Sequence, residues 1–265
     1  MTKPILHHVP PSFYSQISRL ALAEKSIEFE GCYVIPGPSS YESYKPSYMR
    51  LNPNGTVPTL VHDGNVLSES LDILRYLETR FPGTELWMDR EDSDGIDRWV
   101  EQLYTISFRE LSYGSPRLQK LGGWINAKRV RNLQDRLAEN PDLADVYAAK
   151  IDDIETFTRN TFDPDHMKRQ VRALEQKLDR LDNALIDGSC LASDRYSMAD
   201  LVWTVGVARL LMMGMSPFED RPALAYWYGR MKTRPSFSSA GVMERFKPSV
   251  LMRVMWTKLK GKMSG

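Results

Sequence analysis

The chain has 265 residues, 42% of them hydrophobic and 26% charged, with a formal net charge of +1. That length buries one good core or two modest ones, and the near-neutral balance argues against nucleic acid as the main partner, because phosphate binding draws on a basic surplus. Two cysteines, Cys32 and Cys190, make no disulfide framework, no Cys/His spacing suggests a metal site, the start Met1–His8 lacks a signal-peptide core and no apolar run reaches bilayer length, so a soluble cytoplasmic protein is expected.

Residues 4–9 read as a short strand ended by Pro10-Pro11, with Ser12 to Ser18 a polar turn before a helix carrying Ile17, Leu20, Ala21 and Ala23. Phe29 to Ile35 reads as a second strand, followed by the loop Pro36–Ser40. Val57–Val61 and Asn65–Leu67 form a hairpin across Asp63-Gly64, a favoured turn dipeptide, and Ser70–Arg80 is a helix stopped by Phe81-Pro82-Gly83. The order is β-α-β then β-β-α, that of a thioredoxin-like domain. Strand signals then disappear. Helical patterns follow over 97–112, 127–138, 142–161 and 167–185, the last with Val171, Leu174, Leu178, Leu181 and Leu185 in one stripe. Tyr196-Ser-Met-Ala-Asp200 precedes an apolar helix to Met213, with Ser197 and Asp200 spaced as a reciprocal capping box, and Pro222–Arg234 is a further helix. Two domains are expected, 1–82 and 92–265, joined near 82–92. The fold class is an α/β thioredoxin-like domain plus an all-α domain.

The stretch Asn52–Ser70 carries the chemistry. The residue before a proline is pushed to an extended conformation, and proline donates nothing to a sheet, so Val57-Pro58 turns a backbone edge outward. Glu69-Ser70 then opens a helix, whose N-terminus suits a carboxylate. One backbone edge and one helix N-terminus suit a small ligand that is both peptide-like and anionic.

This ordered set resembles the glutathione site of the glutathione transferase family. The resemblance implies a cis Val57-Pro58 bond, pairing of the Val57 backbone with the cysteinyl unit of glutathione as an added sheet rung, Ser70 for the γ-glutamyl carboxylate, Glu69 for the α-ammonium or the order of the turn, and Lys45 and Asn54 for the glycyl carboxylate. Glutathione would serve as cosubstrate. A free thiol titrates at about 8.5, so such an enzyme must favour the thiolate with a hydroxyl and a helix N-terminus. The family pattern points to the turn 10–19, where Ser15 is the first choice, Tyr14 the second and Ser12 the third. Several stretches resemble the bacterial tetrachlorohydroquinone dehalogenase and β-etherase branch: Tyr48-Met-Arg-Leu-Asn52, Asn140-Pro-Asp-Leu143 with Tyr147, Tyr196–Leu210, Arg221-Pro-Ala-Leu224 and Met231–Phe237. That branch has a cysteine where this chain has Tyr14, which disfavours reductive dehalogenation through a mixed disulfide. Conjugation, dehalogenation or aryl-ether cleavage by glutathione stays open.

An aromatic electrophile would lie against the helical domain, with Tyr104, Phe108 and Tyr113 its first candidate walls and Trp124, Tyr147 and Trp203 further ones. An insert at about 114–168 is expected there, its 114–123 stretch a loop that lids or widens the cleft. The basic amphipathic tail 246–262 is read as packing over the helical domain or the active-site mouth rather than on a membrane. The resemblance implies a homodimer, with a heterodimer the alternative. A non-catalytic glutathione-binding subunit is the rival function.

Overall fold

The computed structural model describes residues 2–37, 40–87, 90–115 and 118–245, with backbone alone over 90–93. The tail predicted at 246–262 lies outside the described residues, as does part of the linker near 82–92. Four strands, β1 (Ile5–His8), β2 (Glu30–Tyr33), β3 (Thr59–His62) and β4 (Asn65–Leu67), form one sheet in the order β2-β1-β3-β4. β1 runs parallel to β2 and antiparallel to β3, with Leu6 opposite Leu60 and His7 opposite Thr59. Alternation then sorts the two faces. Leu6 and Leu60 join one core with α1 (Phe13–Glu24) and α3 (Ser70–Arg80), whereas His7 meets Tyr48 of α2 (Pro46–Leu51) on the other face. β3 begins at Thr59 and not at Val57, because Pro58 has no N–H to give the ladder.

The helical half contains α4 (Arg90–Tyr104), α5 (Phe108–Tyr113), α6 (Gln119–Glu139), α7 (Ala144–Phe162), α8 (Pro164–Ala184), α9 (Met198–Met213), α10 (Pro222–Met231) and α11 (Pro235–Ser239). The single helix expected over 97–112 is two. The chain breaks at Thr105–Ser107, where Ser107 Oγ accepts the Glu110 N–H and starts α5 afresh. The loop expected over 114–123 is shorter than that, since Gly122 and Gly123 lie within α6; residues 116–117 are outside the description. α9 is apolar nearly all round and buried nearly throughout, the pattern of a helix enclosed by others. Among the described residues no helix is long and apolar enough to cross a membrane.

The halves do not have separate cores. Phe13 stacks on Phe108 at 4.1 Å between ring centroids, and one cluster runs from Leu6 through Phe108 to Trp203. A second cluster joins Tyr44 and Met49, beside α2, to Leu133, Tyr147 and Ile154 of α6 and α7. The insert helices therefore brace the segment that precedes the Asn52–Ser70 stretch.

His8 gives this fold an acid-sensitive point. It is buried, packed near Phe29 and Tyr33, with Nδ1 3.1 Å from Arg19 Nη1. Burial, helped by the Arg19 charge and by His7, depresses its pKa to about 4. The unfolded histidine titrates near 6.5. The folded state thus keeps His8 neutral where the unfolded chain takes up a proton, so the stabilisation is full above about pH 6.5 and is lost as pH falls toward 4. Between pH 7 and 5 the loss is about 2 kcal/mol. Urea unfolding at the two pH values measures it, and His8→Asn is expected to remove most of the difference. An unchanged difference in that variant would reject the assignment.

Candidate active site

The β1–α1 turn and the start of β3 lie side by side. The ladder between the two strands ends at His7 opposite Thr59, so the Val57-Pro58 step and the turn into α1 leave the sheet at the same end. The Val57-Pro58 peptide is cis. α1 begins at Phe13, earlier than the polar turn expected to Ser18, because Ser12 is extended and its Oγ accepts the Ser15 N–H at 3.4 Å. No acidic residue occupies the first turn, so the positive end of α1 is uncompensated.

This start for α1 separates the three hydroxyl candidates. Ser12 is half-buried at the helix N-terminus. Tyr14 is half-buried, with its ring stacked on Tyr104 at 5.8 Å. Burial pushes the Tyr14 phenol pKa up, Glu69 adds to the rise and Arg109 opposes it, so the phenol stays protonated at neutral pH. Ser15, the third residue of the helix, is fully buried, and its Oγ has no hydrogen-bond partner among the described residues.

The loop before β3 is pinned from below. Asn52 is buried and donates to Thr56 O at 3.0 Å and Thr59 Oγ1 at 2.9 Å, while Tyr48 Oη donates to Thr56 O at 2.7 Å. Gly55 takes φ +57, with Met49 Sδ 3.0 Å from where a Cβ would stand, so only glycine fits this close approach to α2. At the far end of the stretch, Asn54 Nδ2 donates to Glu69 Oε1 at 2.9 Å, and Ser70 Oγ is 2.8 Å from Tyr104 Oη. The fold thus gathers Asn54, Glu69, Ser70, Tyr104 and Tyr14 around the N-terminus of α3. Lys45 is exposed at the N-cap of α2 and joins none of these bonds.

The aromatic candidates divide. Tyr104 and Tyr113 are half-buried, and Trp124 is half-buried in α6. Phe108 is a core contact between the halves, Tyr147 is enclosed in the second cluster with its hydroxyl on Tyr44 O, and Trp203 is enclosed with Nε1 donating to Trp99 O. Helical spacing of aromatics does not distinguish these two settings, because spacing fixes the helix face a residue lies on and not what packs against that face. Three arginines escape the sequence reading: Arg109, Arg129 and Arg209. Arg209 is the conspicuous one, as the sole charge between Leu201 and Met213. Its Nη2 donates to Pro11 O at 2.5 Å and to Gln16 Oε1 at 3.1 Å, which brings a guanidinium to the β1–α1 turn.

With this geometry in view, the comparisons with known proteins are specific. The family model described as glutathione S-transferase, N-terminal domain, matches residues 6–85, and that described as glutathione S-transferase, C-terminal domain, matches residues 146–235. The chain is 30% identical over 252 residues to the tetrachloro-p-hydroquinone reductive dehalogenase of Sphingobium chlorophenolicum, a match spanning 94% of this chain and 100% of that one. It is 27% identical over 247 residues to protein LigF of Sphingobium sp. strain SYK-6, spanning 88% of this chain and 90% of that one. The crystal structure of the beta-etherase LigF from that strain matches this fold with a TM-score of 0.70 at 23% identity, covering 90% of this chain and 98% of that one.

Proposed function

The chain belongs to the glutathione S-transferase family, and from that premise we propose that it uses the thiolate of glutathione as a nucleophile on an aromatic or aryl-ether small molecule. The carrying observation is the meeting of two features at one end of the sheet: the open N-terminus of α1, capped by Ser12, and the cis Val57-Pro58 step that leads into β3. A peptide strand paired with Val57 carries its side chain toward that helix end. There the helix N–H groups and the Ser12 hydroxyl favour a thiolate over a thiol.

In the proposed reaction the sulfur attacks an activated carbon of the acceptor. A carbon–sulfur bond forms, a carbon–halogen or carbon–oxygen bond breaks, the leaving group departs with the electron pair, and the thiol proton passes to water. The protein supplies position and a stabilised anion. Ser70 and the α3 N–H groups take the γ-glutamyl carboxylate, Glu69 takes the α-ammonium, and Lys45 takes the glycyl carboxylate. Ser12 is preferred to Ser15 because the Ser15 hydroxyl is enclosed, and to Tyr14 because the Tyr14 ring is held against Tyr104.

The test is retention on immobilised glutathione together with turnover of an activated chloroaromatic and a β-aryl ether. Ser70→Ala is expected to raise KM for glutathione about tenfold with kcat nearly unchanged, since a hydrogen bond to a charged group is worth about 1.5 kcal/mol or more. A fall in kcat with KM unchanged would remove Ser70 from the binding site. The occupation of the cysteine position of the resembled branch by Tyr14 favours one rival, a non-catalytic glutathione-binding subunit. Binding without turnover of either acceptor selects it.

A further inference from the structure

The β1–α1 turn does not hold itself by backbone bonds alone. Pro10 and Pro11 have no N–H to give. The Val34 N–H bonds His8 O at 3.0 Å, the Ser12 N–H bonds Val9 O at 3.1 Å and the Gln16 N–H bonds Ser12 O at 2.9 Å. Among the described residues no backbone N–H reaches the two proline carbonyls between them, and side chains take both. Pro10 O accepts from Gln16 Nε2 at 3.2 Å and from Arg19 Nη2 at 3.1 Å. Pro11 O accepts from Arg209 Nη2 at 2.5 Å.

Arg209 therefore reaches across from α9 to grip both neighbours of Ser12. It bonds the carbonyl of Pro11, and its Cζ lies 5.9 Å from the centroid of the Phe13 ring. The same Nη2 donates to Gln16 Oε1 at 3.1 Å, and Gln16 is fully buried, so one amide ties Arg209 to Pro10 as well. Packing alone does not account for an arginine here. It is the sole charge between Leu201 and Met213, it forms no ion pair among the described residues, and its Nε is buried without a partner. Burial pulls its pKa down to about 10, which still leaves it charged at neutral pH. A methionine or leucine would fill the place without that desolvation cost. What the guanidinium adds is a donor for Pro11 O and Gln16 Oε1.

We propose that Arg209 is a positioning residue for the thiolate site: through Pro11 O, the Phe13 ring and Gln16 it sets the Ser12 hydroxyl and the N-terminus of α1, so that the helical half governs how readily the glutathione sulfur ionises. This deepens, and rests on, the reading that Ser12 and the α1 N–H groups stabilise the thiolate. Arg209 acts through these neighbours and not by contact with the sulfur.

Arg209→Met keeps much of the bulk and removes the donors. It is expected to lower the acid dissociation constant of the bound thiol about tenfold, read from thiolate absorbance across a pH series, and to lower kcat for an activated chloroaromatic about tenfold. KM for glutathione is expected to stay within about threefold, because the Val57 edge and α3 hold the rest of the molecule. Arg209→Lys keeps a charged donor and is expected to recover most of both losses. Gln16→Met, with the arginine in place, is expected to shift both readouts in the same direction, and it carries the test if Arg209→Met does not fold. The double variant is expected to fall no more than about threefold below the worse single one, since the two residues act as a unit. A lower melting temperature in Arg209→Met with thiol ionisation and kcat unchanged overturns the proposal, and so do fully additive losses in the double variant. Amide hydrogen exchange without glutathione does not depend on catalysis: Arg209→Met is expected to speed exchange at Ser12, Ser15 and Gln16 about tenfold and to leave the β3 amides unchanged. If the native protein binds glutathione without ionising it, the thiolate reading fails and exchange alone decides the hold. Loosening confined to the turn then keeps Arg209 as the residue that sets it, and an unchanged turn overturns that role.

Discussion

Removing the Ser12 hydroxyl is expected to lower kcat/KM for an activated chloroaromatic about 100-fold, as for loss of one donor to a developing or resident anion. Glutathione KM is expected to change little, because the peptide edge at Val57 and the α3 N-terminus hold the rest of the molecule. The pKa of the bound thiol, read from thiolate absorbance across a pH series, is expected to rise toward the free value of about 8.5. Ser12 also caps α1, so Ser12→Ala carries a stability cost of about 1 kcal/mol, whereas glycine at an N-cap costs only a few tenths. Ser12→Gly therefore isolates the chemistry: the same drop in kcat/KM with a nearly native melting temperature supports direct contact with sulfur. Ser15→Ala deletes a buried, unpartnered hydroxyl and is expected to hold or slightly raise stability. If Ser15→Ala abolishes turnover and Ser12→Gly does not, the assignment to Ser12 is wrong.

The second large effect concerns Asp200. Its carboxylate is fully buried at the start of α9 and accepts four hydrogen bonds: from the Ser197 N–H at 3.0 Å, the Ser197 hydroxyl at 3.1 Å, the Leu191 N–H at 3.0 Å and Trp227 Nε1 at 3.0 Å. Burial pushes its pKa up, while the four donors pull it back toward ionisation. One side chain thus starts the central helix, fixes the 191 loop and ties α10 to the core. Asp200→Ala leaves these donors buried without an acceptor, at about 1–3 kcal/mol each, so a total loss above about 4 kcal/mol is expected, enough to unfold a domain of ordinary margin. Urea unfolding measures it, with Asp200→Asn as the shape-preserving control that retains an acceptor oxygen. A loss under about 1 kcal/mol in Asp200→Ala would mean that water replaces the carboxylate.

Much of this arrangement was legible because the signals are local. The Val57-Pro58 step, the Asp63-Gly64 hairpin, the Ser197–Asp200 box and the switch from period-two to helical patterning are all set by backbone preferences over a few residues. What escaped depends on which side chains face each other across the chain. Ser15 reads like any serine in a polar turn until α1 starts at Phe13 and turns that hydroxyl inward. Phe108, Tyr104 and Tyr113 share one helical spacing, yet the first meets Phe13 in the core, while Tyr104 is half-buried against Tyr14 and Tyr113 against Phe157.

The amino-acid order by itself determined the two-part architecture, the Val57-Pro58 step ahead of the hairpin, the helix start at Ser70 and the resemblance to glutathione transferases. Only the tertiary structure decided that Ser12 caps α1 while Ser15 is enclosed, that the two halves share a core, and that Arg209 reaches across to the β1–α1 turn. The reason is range. Turns and caps are written in neighbouring residues, whereas burial and charge pairing arise between positions as far apart as Pro11 and Arg209 and exist only once the chain has closed on itself.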